Sequence, residues 1–346
     1  MRSLRDTAIA AGFALFRATR LHRLAARWTR GRGAILMFHR VRPWRERGFA
    51  PNRLLEITPE FLEAAIVGTK AAGFEIVSLD TAVQRLRRPA ATGERPFAVL
   101  TFDDGYKDNR DFALPVLERH AAPFTLYVAT GFADRSARLW WSELEEAIAR
   151  LDKVEVDRLS LQAGTDAEKV AAFDKVYWHL RGQGEDALLA RVARLCSKAG
   201  VDSRALVAEA CMDWDDIAAL SRHPLCTIGV HTLSHPRLAK LPFQEMQREL
   251  AASRAEIEAR IGRKADHVSY PVGDATSAGE REFAEARAQK FASAVTTRPG
   301  MILEAHGERL HALPRLSVNG KWQDLAMFEV LLSGAPFALL NFGKAG

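Results

Sequence analysis

Residues 99–109 read VLTFDDGYKDN, an apolar strand-like run that ends in two adjacent carboxylates, Asp103 and Asp104, followed by Gly105. Asp-Gly by itself is a turn signal, and a turn is the plain reading of that pair. The chemical reading is a division of labour in which one carboxylate holds a metal and the other stays free as a base. That reading requires further ligands. Residues 228–236, IGVHTLSHP, offer His231 and His235 directly after a second apolar run. Two neutral imidazoles and one carboxylate suit Zn²⁺, Fe²⁺ or a similar ion and leave positions open for water and substrate. The plain reading of the histidines is that they are satisfied polar groups, since the chain has ten. In the metal reading, a divalent ion lowers the pKa of its water and polarises a carbonyl. Asp103, unliganded beside it, stays ionised and takes a proton from the water.

For these residues to meet, the elements carrying them must share one end of a fold. The run AILMFHRV (34–41) predicts a buried strand ending near His39. Thr58-Pro59-Glu60 opens a helix, with Thr as N-cap and Pro at its first position. FEIVSL (74–79), FAVLTF (97–102), FTLYVAT (124–130), CTIGVHT (226–232), HVSYP (267–271), FASAVTT (291–297) and LPRLSVNG (313–320) predict further strands, with helices between. A long helix is expected over 243–261, closed by Gly262. Alternating strands and helices predict βαβ units and a parallel sheet or barrel, whose strand C-termini gather where sites are built. Residues 138–212 break the alternation. They are charged, Ala-rich and read as a helical insertion without a clear strand.

The chain has 346 residues, a net charge of +6 and 48% hydrophobic residues, which places it among globular proteins. No apolar run approaches a membrane span. There is no zinc-finger spacing, RNA-binding signature or helix-turn-helix, so nucleic acid is not an expected partner. Cys196, Cys211 and Cys226 lack Cys-x-x-Cys spacing and are expected as free buried thiols, which fits a reducing, cytoplasmic location. Residues 1–33 hold eight Arg and one acid. The stretch AIAAGFALF (8–16) resembles a signal-peptide core but is short and followed by Arg rather than a cleavage site. A basic helix is expected there, packed on the domain or in peripheral contact with a membrane surface.

TFDDG (101–105) together with HTLSHP (231–236) resembles the NodB-homology polysaccharide deacetylases, carbohydrate esterase family 4. The likeness covers roughly residues 34–134 and 213–320. It implies an α/β fold, a distorted (β/α) barrel of about seven strands, and hydrolysis of an N-acetyl (sometimes O-acetyl) group on a sugar polymer or oligomer. By this resemblance Asp103 is the general base, and Asp104, His231 and His235 bind the metal. The backbone N–H of Tyr106 helps hold the tetrahedral oxyanion. Many members carry an Arg in a later Arg-Pro-Pro-Tyr-Gly-like motif that orients the base. Here that segment is Ser269-Tyr270-Pro271-Val272-Gly273, without Arg. This version is similar to the branch acting on poly-N-acetylglucosamine, where an N-terminal aromatic-His pair supplies the acid that protonates the leaving amine. Phe38-His39 matches that pair, so His39 is the candidate acid. His311 matches the ordinary Leu-x-His more loosely. Arg315 either replaces the missing Arg or is a surface residue.

Tyr270 and Pro271 are expected to wall the pocket. Trp140 and Trp141 either stack on sugar rings or anchor the insertion, and Asp213 starts a helix. A non-haem iron oxygenase needs no second Asp beside its ligand, and an aspartate-phosphatase would show Asp-x-Asp. The expected domains are a basic N-terminal helix (1–33), a barrel (34–320) interrupted by the insertion (138–212), and a tail (321–346). The expected function is metal-dependent removal of N-acetyl groups from an N-acetylglucosamine-type polysaccharide, oligosaccharide or glycan precursor. The metal is expected to be Zn²⁺, with Co²⁺, Ni²⁺, Mn²⁺ or Fe²⁺ as substitutes. The alternatives are a same-fold hydrolase of a non-sugar amide and a non-catalytic carbohydrate-binding relative.

Overall fold

Seven short, almost wholly buried runs form parallel strands: β1 (Gly33–Phe38), β2 (Phe97–Phe102), β3 (Phe124–Val128), β4 (Cys226–Val230), β5 (His267–Ser269), β6 (Ser293–Pro299) and β7 (Leu313–Ser317). In this computed structural model they close into a ring in the order β1-β7-β6-β5-β4-β3-β2, with β2 pairing back onto β1. The structure describes residue 16 and residues 18–341. The fold is the distorted (β/α) barrel the sequence predicts. The run 74–79 departs from its expectation. Only Glu75–Ile76 is extended, pairing beside the start of β2, because Ser78 caps a helix from Leu79 and ends the strand.

Alternation along the strands sorts their side chains. Ala34, Leu36 and Phe38, with Ala98, Leu100 and Phe102, join the core under the surrounding helices. Ile35, Val99, Tyr127, Val295 and Leu313 form a separate cluster with Phe97 and Ile302, the opposite face of a pleat with period two. One step further along that second parity come Thr101, Asp103 and Arg315, all fully buried. The parity that is apolar low in the barrel therefore turns polar toward the strand C-termini.

Of the surrounding elements, α1 (Pro59–Ala71) starts with Thr58 accepting from the Phe61 N–H. The insertion sits between β3 and β4, which pair directly along their full length. It comprises α2 (Trp140–Ala149), an antiparallel hairpin (Lys153–Val156 with Leu159–Gln162), α3 (Asp166–Arg181), α4 (Glu185–Ala199) and a further short helix, Ser203–Ala210. The hairpin corrects the expectation of no strand. Val154 and Val156 alternate with exposed residues and join the insertion's own core, a pattern only two buried positions long. Asp213 caps the helix from Trp214, as expected. The long helix α5 (Phe243–Ile261) ends at Gly262, whose φ of 67° is left-handed. The three cysteines are buried and free.

The segment expected as a tail contains two helices, Leu325–Leu332 and Ala335–Asn341. Thr29 Oγ1 donates to the Ser333 carbonyl, and Arg23 pairs with Glu329. The helix Leu21–Thr29 thus lies against the C-terminal helices at the end of the barrel where β1 begins. The apolar stretch 8–16 lies outside the described residues except for Phe16. No helix among the described residues is long and apolar enough to cross a membrane.

Candidate active site

Strand register brings the first pair of residues together. Phe38 lies opposite Phe102, and the Asp103 N–H donates to the Phe38 carbonyl at 3.0 Å. His39 and Asp103 are therefore neighbours at adjacent strand ends, with His39 Nε2 4.0 Å from Asp103 Oδ2. Val128 lies opposite Val230, and the His231 N–H donates to the Val128 carbonyl, which carries His231 to the same face.

Asp104, His231 and His235 offer ligand atoms that all lie within 4.8 Å of one another. His231 Nε2 and His235 Nε2 are 3.4 and 3.3 Å from Asp104 Oδ1. His231 Nδ1 lies 2.7 Å from the Ser269 carbonyl. In the neutral ring that contact places the proton on Nδ1 and turns the Nε2 lone pair toward Asp104. Asp104 Oδ1 is correspondingly buried without a hydrogen-bond partner. A buried carboxylate oxygen without a partner, facing two imidazole nitrogens and close to a His235 Nδ1 that also has none, is an unsatisfied arrangement that a divalent cation completes. The residues present thus fit a metal. Burial opposes the charge on Asp104, yet His231 and His235 hold its carboxyl well below the usual range.

Asp103 is gripped by Arg315. Arg315 Nη1 and Nη2 donate to its two carboxylate oxygens at 2.8 and 2.7 Å, Nη1 also to Thr101 Oγ1, Nη2 to Ser269 Oγ and Nε to the Thr296 carbonyl. Arg315 is fully buried, not a surface residue. Burial raises the Asp103 pKa, but Arg315, together with His231 and His39, holds the carboxyl below its ordinary value. Where the expected Arg of the 269–273 segment is absent, Ser269 contacts both partners and the cation comes from β7.

Burial pushes the His39 pKa below its ordinary value, against the opposing pull of Asp103. The remainder of the opening motif fixes its backbone. Asn109 Nδ2 donates to the His39 carbonyl at 2.7 Å, and Asp108 accepts from the Val41 N–H and from Arg40 Nε. Sequence reasoning passed over Asp108 and Asn109, although they stand four and five residues after Asp104. It also passed over Glu249 of α5. This carboxylate accepts from the Leu233 and Ser234 N–H groups and the Ser234 hydroxyl, while Ser253 donates to the Thr232 carbonyl. These bonds hold the loop between the two histidines in a strained path. Asp104, Thr232, His235 and Val272 all have positive φ, between 60° and 73°, uncommon for non-glycine residues and costly for the β-branched Thr232 and Val272.

The site floors a cleft of about 510 Å³ lined by His39, Asp103, Asp104, His231, His235, Val272 and Thr297, with the remaining wall from residues 51–55 and the insertion. Three sequence-predicted residues lie elsewhere. Tyr270 is fully buried, packs on Phe283 and donates to the His311 carbonyl. Pro271 is buried and does not line the cleft. The strand ends at Ser269, so Val272 takes the wall position. His311 Nε2 contacts the Phe291 carbonyl, before the start of β6. It precedes β7 and so sits at the wrong end of a parallel barrel. The Tyr106 side chain is turned away, its hydroxyl accepting from Trp141 Nε1 at 3.2 Å. Trp140 and Trp141 are buried in the insertion's core, yet both also line the cleft, and Trp141 packs 4.8 Å from the His235 ring.

The family model for polysaccharide deacetylases matches residues 90–289, more than half of the chain. Among solved structures, a Streptococcus pyogenes deacetylase, PplD, in complex with acetate is similar with a TM-score of 0.55 at 16% identity, covering 83% of this chain and 92% of that one. IcaB from Ammonifex degensii gives 0.55 at 17% identity, covering 87% and 98%. A de-N-acetylase from Aggregatibacter actinomycetemcomitans gives 0.53 at 13% identity, covering 86% and 98%. At such identities these likenesses speak for the fold. No curated protein matches the chain.

Proposed function

Because the chain belongs to the polysaccharide deacetylase family, we propose that it removes N-acetyl groups from an N-acetylglucosamine-type polysaccharide, oligosaccharide or glycan precursor, using a divalent ion at Asp104, His231 and His235. The observation that carries this reading is the pairing of an unsatisfied Asp-His-His cluster with a second carboxylate held apart from it by Arg315.

Zn²⁺ is the proposed ion, with Co²⁺, Ni²⁺, Mn²⁺ or Fe²⁺ as substitutes. When bound, it supplies Lewis acidity toward the acetyl carbonyl and makes water easier to deprotonate. Asp103 takes the proton from the attacking water. Its pairing with Arg315 makes it a weak base but keeps it ionised over a wide pH range. The Tyr106 N–H donates to the oxygen that gains charge. His39, neutral at rest because burial lowers its pKa, receives the proton from Asp103 and passes it to the nitrogen as the C–N bond breaks. Water and amide are thereby converted to acetate and a free amine, with the proton conserved.

We further propose a cytoplasmic location with peripheral membrane contact through the basic N-terminus, on the strength of its eight Arg and its free cysteines.

Metal-stripped protein incubated with N-acetylglucosamine oligomers, with and without added zinc, tests the reaction by mass spectrometry. Zinc-dependent loss of acetyl groups is expected. Oligomers left intact by protein with stoichiometric zinc would refute the substrate, and failure to bind zinc would refute the site.

A further inference from the structure

The cleft floor is polar, but its outer wall comes from α3. Val170, Phe173, Asp174, Tyr177 and Trp178 all line it. Their spacing places them on one helical face, directed into the cleft. Trp178 is 61% exposed, unusual for so large an apolar ring. It is also firmly supported. Tyr177 is stacked between Trp140 (5.3 Å, 27°) and Phe173 (5.7 Å, 20°). Trp178 stands perpendicular to Tyr177 at 5.3 Å, with the Arg181 guanidinium 5.8 Å from its ring. Aromatic contacts run without a gap from His235 through Trp141, Trp140 and Tyr177 to Trp178. The row begins at the reacting centre and extends well past the space one acetamido group occupies.

A supported, solvent-facing indole with an exposed carboxylate one helical turn before it suits a ligand with two kinds of surface. An acyl chain has no use for Asp174, and an anionic group would be repelled by it. A pyranose ring has a C–H face that packs on an aromatic ring and hydroxyls that donate to a carboxylate. Resting on the deacetylase reading above, we propose that α3 forms a second sugar subsite. Trp178 stacks on a neighbouring ring of the same glycan and Asp174 accepts from its hydroxyl groups. The insertion then makes the enzyme select a chain over a single sugar.

Two measurements test this separately from the reaction. In the first, binding of a fully deacetylated glucosamine oligomer, which cannot turn over, is followed by calorimetry in the zinc-loaded wild type, Trp178→Ala and Asp174→Asn. The wild type is expected to bind, and Trp178→Ala to weaken binding about tenfold. Trp178→Phe should recover most of it. In the second, acetate release is compared on N-acetylglucosamine and its oligomers. The wild type should prefer the oligomer, and Trp178→Ala should shrink that preference mainly through KM. Both side chains are exposed, so their loss leaves the fold intact. Oligomer binding that is absent in the wild type, or equal in the wild type and both variants, overturns the subsite. Binding that depends on Trp178 without any acetate release upholds the subsite and refutes the deacetylase reading instead.

Discussion

A carboxylate held through both oxygens by a guanidinium is oriented, and it is also made less basic. Arg315 does both to Asp103, so its replacement separates geometry from charge. Arg315→Lys retains the charge but loses the two-pronged contact, and kcat should fall while zinc stoichiometry holds. Arg315→Ala leaves a buried carboxylate unpaired and should destabilise the fold by about 3–5 kcal/mol, read by denaturant melts above pH 6. Asp103→Asn should lower kcat by about 10²–10⁴-fold with zinc still bound. An active Asp103→Asn variant would remove Asp103 from the base role. The proposed metal site should have its own pH response. Burial works to lower the His231 pKa, but Asp104 and Asp103 raise it above its ordinary value. A proton therefore competes with the metal as pH falls through that raised pKa. Zinc affinity should drop by about tenfold per pH unit below that pKa, measured by competition with a chromogenic chelator. A flat affinity between about pH 8 and pH 6 would contradict this.

At the scale of elements, the decisive groups are those that hold loops still. Glu249 reaches from α5 to two backbone N–H groups and a hydroxyl between His231 and His235. Glu249→Ala should therefore weaken zinc binding about 10–100-fold without touching the metal. An unchanged zinc affinity would mean that the loop holds its strained path unaided. Such residues also mark what the sequence could and could not reveal. Asp103, Asp104, His231 and His235 were legible because ligand types recur at strand ends, and strand periodicity is short-range. Glu249 was not, because its role depends on which loop a distant helix meets. Arg315 stood between two readings for the same reason. Only barrel closure sets β7 beside β1 and buries its side chain against Asp103. Tyr270 was misplaced because it follows site-facing Ser269 and so takes the parity of Val268, which packs in the core under the helices. The hairpin at 153–162 was missed because its alternation is too brief to stand out within charged helices.

Viewed whole, the molecule has two chemically distinct ends. The cleft lies where the strands finish. The helix Leu21–Thr29 lies where β1 starts and exposes Leu21, Leu24 and Trp28, with Arg20, Arg23 and Arg27 nearby in sequence. If the basic end meets a bilayer, the protein should cosediment with vesicles containing an anionic phospholipid and not with zwitterionic ones. Binding should weaken as salt rises, and the cleft would then face away from the lipid. Equal behaviour with both vesicle types would remove the membrane from this account.

The ring's closing seam joins β1 to β7, the first and last barrel strands to leave the ribosome. Asp103 emerges early, and its counter-ion Arg315 follows 212 residues later. During synthesis Asp103 must wait without its cation, so the buried ion pair cannot form until almost the whole polypeptide is made. Translation that stops short of residue 315 would leave a product with Asp104, His231 and His235 in its sequence and no guanidinium to pair with Asp103.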